Sequence, residues 1–257
     1  MASGRLQGKV AIVTGIGSGI GQGCALMFAR EGAAVVGCDI NAETAEATVA
    51  QARAEGCSID SLHPCDLTRP DQVQKLVDLA VERHGRIDIL VNAAAWGAFE
   101  FIEDMECERH WKPTLSGEID VVFLACKAAW PHLKRSGRAS IVNFASANAY
   151  EALSGSGALA HCAGKGAVLA LTRQLAMEGG PHGIRANTIS PGLILTGATR
   201  PRVDHEPGFR ETVLSKMMVG RLGVPDDIAY CAVFLASDES GFVTASDYKV
   251  DGGATSW

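Results

Sequence analysis

Six short apolar runs recur along the chain, nearly all rich in β-branched residues: "KVAIVTG", "AAVVGCDI", "SIDSLHPCDL", "IDILVNAA", "ASIVNFAS" and "GIRANTISPG". Each reads as a strand, and the first ones are separated by longer helix-patterned stretches. "GIGQGCALMFAREG", closed by Gly32, and "AETAEATVAQARAEG" read as helices, while "DQVQKLVDLAVERHG" sets Val73, Leu76, Val77 and Ala80 on one helical face. Strands that are apolar on both faces and alternate with helices predict a parallel sheet covered on both sides, a Rossmann-like, doubly wound α/β fold. With 257 residues, 47% of them hydrophobic, the chain can build such a core. No internal repeat or low-complexity linker divides it, so residues 1–257 are expected to form a single domain. The stretch "GATRPRVDHEPGF", rich in Pro, Gly and charge, predicts a mobile surface loop over about 197–215.

Charge and cysteine usage narrow the function classes. A net charge of -6, with no Lys/Arg run longer than two, argues against a nucleic-acid groove. The apolar run near the N-terminus is too short for a signal peptide's apolar region or a membrane span, so neither a membrane nor a nucleic acid is expected as partner. The eight cysteines (Cys24, Cys38, Cys57, Cys65, Cys107, Cys126, Cys162 and Cys231) form no C-x-x-C pair. They predict small buried hydrophobes in a reducing compartment rather than metal ligands, and a cytoplasmic location.

"VAIVTGIGSGIGQG" places Gly15, Gly19 and Gly21 between the first strand and its helix. A glycine-rich turn there lets the backbone approach a pyrophosphate, whose charge meets the free N–H groups of the helix start. A tight turn without a ligand is the plainer reading of the glycines alone. Asp39 ends the second strand 18 residues after Gly21, where a carboxylate can accept hydrogen bonds from both ribose hydroxyls. The same carboxylate repels a 2′-phosphate, and no Arg or Lys stands beside it. The residues therefore favour NAD over NADP as cofactor.

With these segments in view, the chain resembles the short-chain dehydrogenase/reductase family from about Lys9 to Gly253. T-G-x-x-x-G-x-G runs from Thr14 to Gly21, and an Asp matching the family's adenine contact is Asp66 in "CDL". The family's N-A-G segment corresponds to Asn92-Ala93-Ala94-Ala95, with Ala in the final glycine position. "ISPGLILT" and the segment from "GRLGVPDD" to "KVDGG" match its C-terminal signatures. The resemblance implies a cofactor held by Gly15, Ser18, Gly19, Ile20, Gly21, Asp39, Asp66, Leu67, Asn92, Ala93, Ala94, Lys165, Pro191, Gly192, Ile194 and Thr196. It also implies a homodimer or homotetramer assembled through the helix carrying residue 161 and the C-terminal segment.

Relatives of this kind use Asn, Ser, Tyr and Lys for the chemistry. Here Ser146 fits the serine and Lys165 the lysine, but "HCAGK" puts His161 at the tyrosine position, and counting from Trp111 puts Glu118 at the asparagine position. His161 and Lys165, four apart, share one helix face. A phenol titrates near ~10 and must be pushed down to act as a base at neutral pH, whereas imidazole begins near ~6.5. A neutral His161 is thus a competent acceptor of an alcohol proton, and Glu118, Lys165 and His161 are expected to form a relay favouring alcohol oxidation. The bland readings stand beside this: a degenerate NAD pocket for His161, and an exposed helix acid for Glu118. Tyr150 is a second candidate for proton transfer, and a pocket-wall aromatic is the preferred reading for it.

Trp96, Tyr150 and Leu153, with Phe99 and Leu195, are expected to line an apolar pocket for a small-molecule substrate. A cyclic or aromatic secondary alcohol fits it better than a sugar. Arg200 and Arg202 are candidates for meeting a substrate carboxylate. Three function classes follow: an NAD-dependent alcohol dehydrogenase with a histidine base; a non-redox lyase, hydratase or hydrolase using His161 and Glu118; and an NAD-binding protein with little or no turnover. The first is favoured, because the set Asp39, Asn92, Pro191, Gly192 and Thr196 is kept.

Overall fold

The computed structural model describes residues 4–153 and 155–257. Its element order follows the alternation read from the sequence. β1 (Val10–Thr14), α1 (Gly19–Arg30), β2 (Ala34–Cys38), α2 (Ala42–Ala54), β3 (Ile59–Leu62), α3 (Pro70–His84) and β4 (Ile89–Asn92) make the first half. The second half holds α4 (Lys112–Leu115), α5 (Val121–Ser136), β5 (Ser140–Phe144), α6 (Leu159–Gly179) and β6 (Arg185–Pro191). It continues through α7 (Arg200–His205), α8 (Phe209–Ser215), α9 (Pro225–Ala236) and β7 (Asp247–Val250). The strands form one parallel sheet in the order β3-β2-β1-β4-β5-β6-β7. The order reverses between β1 and β4, and a doubly wound sheet opens a crevice beyond the strand ends at such a switch point.

The inner strands β1, β2, β4, β5 and β6 bury both faces, which is why they lack a polar alternation. Ala11 and Val13 of β1 pack with α1 and α9 on one side, and Ile12 packs with α3 and α5 on the other. The four apolar positions read on α3 are all buried. That helix begins with Pro70 in its first turn and stops at Gly85, whose φ of 74° only glycine adopts readily. At the sheet's other end Asp88 accepts from the Val10 N–H (3.0 Å), the Arg86 guanidinium (2.6 Å) and the Ser136 hydroxyl (2.6 Å). Burial alone would raise this carboxyl, but those donors hold it below the ordinary aspartate value.

A buried amide ladder ties the sheet to α6. Asn92 Nδ2 donates to Asn143 Oδ1 (2.8 Å), Asn143 Nδ2 donates to Thr172 Oγ1 (2.9 Å), and the Thr172 hydroxyl donates to the Val168 carbonyl (2.7 Å). Residues 200–215, within the stretch expected as a loop, carry the short helices α7 and α8. The Pro and Gly that suggested a loop sit at their ends: Pro201 opens α7, and Gly208, with φ 76°, precedes α8.

Candidate active site

The crevice at the switch point begins with the glycine turn. Gly15 and Gly19 have φ of 71° and 58°, the left-handed region, so the turn folds back tightly before α1. Ser18 precedes α1 without capping it through its side chain, and the first helical turn carries no acidic residue. The N–H groups there remain for an anion. Asp39, just past β2, accepts from the Gly17 N–H and the Asn41 N–H, each at 2.8 Å. The Asp39 carbonyl accepts from the Cys65 N–H at 2.8 Å, which brings Asp66 to the same end of the crevice. Asp66 is itself held in a turn by the Thr68 N–H and hydroxyl (2.9 and 2.7 Å), and Leu67 beside it is buried. Backbone donors and an acid at one end, with an uncapped helix start between, fit the pyrophosphate and ribose of a dinucleotide.

From this turn the crevice widens into a cavity of about 670 Å³. Ile20 and Ala93 line its inner wall with Pro191, Gly192, Ile194 and Thr196 from the end of β6. Thr196 lies over the glycine turn so closely that a Cβ on Gly19 would come within 3.1 Å of its methyl. Asn92 and Ala94, expected at the cofactor, also make contacts within the protein, and the buried Asn92 Oδ1 is left without a partner. The Asn92 amide is buried and donates to Asn143, and the Ala94 N–H donates to Thr14 Oγ1 (3.0 Å).

Ser146, His161 and Lys165 line the same cavity. Ser146 ends the β5 segment in extended backbone, and its hydroxyl accepts from the Asn148 N–H at 3.1 Å. His161 and Lys165 project from neighbouring turns of α6. Lys165 is buried and donates to the Phe144 carbonyl at 3.2 Å. Burial pushes its ammonium below the ordinary lysine value, and the Glu118 carboxylate partly offsets that. Glu118 belongs to a π-helical turn, Ser116–Asp120, between α4 and α5, and it is buried. Its Oε1 lies 2.5 Å from His161 Nδ1, while its Oε2 has no hydrogen-bonding partner. The hydrogen-bonding partner of Glu118 is therefore His161, and Lys165 acts on Glu118 only through its field. Phe99 packs against the other side of the imidazole, with ring centroids 5.3 Å apart.

Leu153 and Phe99 line the cavity, as expected; Trp96, Tyr150 and Leu195 do not. Trp96 is 58% exposed. The Tyr150 hydroxyl donates to Asp247 at 2.8 Å, and its ring lies under the Lys249 ammonium. Partial burial, and then the Asp247 carboxylate, push that phenol up to about 12, which makes it a poor proton acceptor near neutrality. The outer wall includes residues the sequence did not single out: Asn148, Glu151, Phe209, Thr212, Val213 and Lys216 join Arg202 there. Only the fold brings α7 and α8 over the pocket, so no local signal marks them.

A family model described as enoyl-(acyl carrier protein) reductase matches residues 15–255. The chain belongs to the short-chain dehydrogenase/reductase family. It is 39% identical to a D-threitol dehydrogenase of Mycolicibacterium smegmatis, over 98% of this chain and 94% of that one. It is 34% identical to a 3-oxoacyl-[acyl-carrier-protein] reductase of Thermotoga maritima, over 97% and 98% of the two chains. Among solved structures it resembles a 7α-hydroxysteroid dehydrogenase complexed with NADH and 7-oxo glycochenodeoxycholic acid. That match has a TM-score of 0.91 at 32% identity, covering 97% of this chain and 95% of that one. The protein is thus an oxidoreductase scaffold for alcohols and ketones that takes a nicotinamide cofactor. Among the described residues no helix is long and apolar enough to cross a membrane.

Proposed function

We propose that the protein oxidises a secondary alcohol, cyclic or aromatic, to the ketone with NAD, and that His161 takes the hydroxyl proton. One observation carries this reading: an imidazole held through Nδ1 by a buried carboxylate lines the same cavity as Ser146, Lys165 and the end of β6. With Nδ1 engaged, Nε2 is the nitrogen with a lone pair to offer to an alcohol. The Ser146 hydroxyl donates to the substrate oxygen and sets its direction. When bound, the oxidised nicotinamide supplies the hydride acceptor. His161 takes the proton on Nε2, and the positive charge then spread over the ring meets the Glu118 carboxylate already in place at Nδ1. Lys165 stands one turn further along α6, on the ribose side. The apolar part of the lining, Phe99, Leu153, Phe209 and Val213, suits a ring-bearing substrate.

NAD is preferred over NADP in this reading because Asp39 stands where a 2′-phosphate would have to sit, with no cation beside it. Assembly into a homodimer or homotetramer belongs to the same proposal. Leu159 and Met177 on α6, and Phe242, leave apolar surface exposed.

The test follows reduced-nicotinamide absorbance with a panel of cyclic and aromatic secondary alcohols. NAD-dependent oxidation is expected, with a rate that falls as pH drops, because a protonated imidazole has no lone pair to accept with. A rate still climbing above pH ~9, as a phenol base would give, overturns His161 as the acceptor. A carboxylate–imidazole pair also serves acid–base chemistry without hydride transfer, the lyase, hydratase or hydrolase reading. Conversion of substrate with no change in the nicotinamide supports that one instead.

A further inference from the structure

Burying a carboxylate is costly unless its oxygens are met by donors, and only one oxygen of Glu118 is. The unmet Oε2 lies against the backbone of α6 at Gly164. A Cβ built on Gly164 would stand 2.3 Å from Oε2 and 3.2 Å from the Glu118 Cβ, so a side chain there forces the carboxylate to shift from its present position. Gly164 sits in the interior of a 21-residue helix, where glycine is less favourable than alanine, and it is not among the glycines with positive φ. Backbone conformation gives no reason for a glycine there, and space does. From the cavity side, the Phe99 ring closes on the same imidazole.

We propose that Gly164 and Glu118 are a matched pair that positions His161. The glycine opens a slot in α6, and the carboxylate fills it. The imidazole is thereby held as its Nδ1–H tautomer, with Nε2 turned to the substrate. Glu118 and Gly164 touch neither substrate nor cofactor in this scheme; both act through His161. The charged groups around that ring are Glu118 from the π-helical turn and Lys165 from α6 itself. Glu151, Arg202 and Lys216 line the outer cavity. The use made of Nε2 rests on the reading of His161 as proton acceptor, whereas the pairing does not.

The experiment therefore reads the pair directly, by NMR of the histidine ring protons in the protein without substrate, and reads turnover separately. The wild type is expected to show a strongly downfield Nδ1–H resonance from His161, and Glu118→Gln and Gly164→Ala are each expected to lose it. Dinucleotide binding is retained in both variants, which shows that they fold. Turnover is expected to fall by roughly ten- to a hundredfold in each. Glu118→Asp, which keeps the charge, recovers part of the lost turnover. In a Glu118→Ala background the slot is empty, so adding Gly164→Ala costs nothing more. An unchanged Nδ1–H resonance in Gly164→Ala overturns the pairing, as does a further loss in the double variant. Loss of the resonance with turnover intact leaves the pairing standing and overturns His161 as the base.

Discussion

The two ends of the crevice are built by different means. At the cofactor end the glycine turn, the start of α1 and Asp39 lie within about 25 residues of one another, and the contacts of Asp39 run to backbone N–H groups. At the chemical end the key contact joins side chains 43 residues apart, from a π-helical turn and from α6. A site made by the backbone constrains which residues fit and so leaves a motif. A site made by side chains leaves only isolated letters, whose partners emerge from the register of packed helices. The first kind keeps its geometry when a side chain changes, and the second does not.

That contrast sets the order of expected effects. His161→Ala should cut alcohol oxidation by about 10²–10⁴-fold while leaving dinucleotide affinity unchanged, measured by steady-state rates and by binding. Retained turnover would move the proton-accepting role elsewhere and erase the chemical end as drawn. Asp39→Asn removes the charge but keeps the acceptor oxygen and should act at the other end alone. It should raise the relative use of NADP by about tenfold with kcat on NAD nearly intact; a fall in kcat with no change in preference would break the separation of the two ends. Tyr150→Phe should do least. It deletes one partly exposed hydrogen bond to Asp247, worth about 0.5–1.5 kcal/mol of stability in thermal unfolding, and should leave turnover unchanged.

Sequence alone carried the fold far, because a buried parallel sheet writes itself as continuous apolar runs and α3 writes its core face as a 3.6-residue period. The glycine turn and Asp39 were legible for the same local reason. At the chemical end His161, Ser146 and Lys165 could be aligned with relatives, but the direction in which Glu118 turns could not. It is carried by a π-helical turn and lies against α6 at Gly164, a packing between distant segments that no local pattern announces. Gly164 itself carried no signal, since a glycine in a helix has many explanations. Trp96 is a large aromatic near the Asn92 segment, yet its backbone carbonyl packs against Gly117 and its ring stays largely outside. The helices α7 and α8 were hidden by the Pro and Gly that cap them, and with them the outer wall of the cavity.

The ladder from Asn92 through Asn143 to Thr172 acts on α6 as a key acts in a slot. Each step along a helix turns the side chains by about 100°, so Thr172, seven residues beyond Lys165 and eleven beyond His161, fixes the angle at which both enter the crevice. His161 and Lys165 are thus indexed by one mark deep in the protein. An error there would misalign the two in step, although neither touches it.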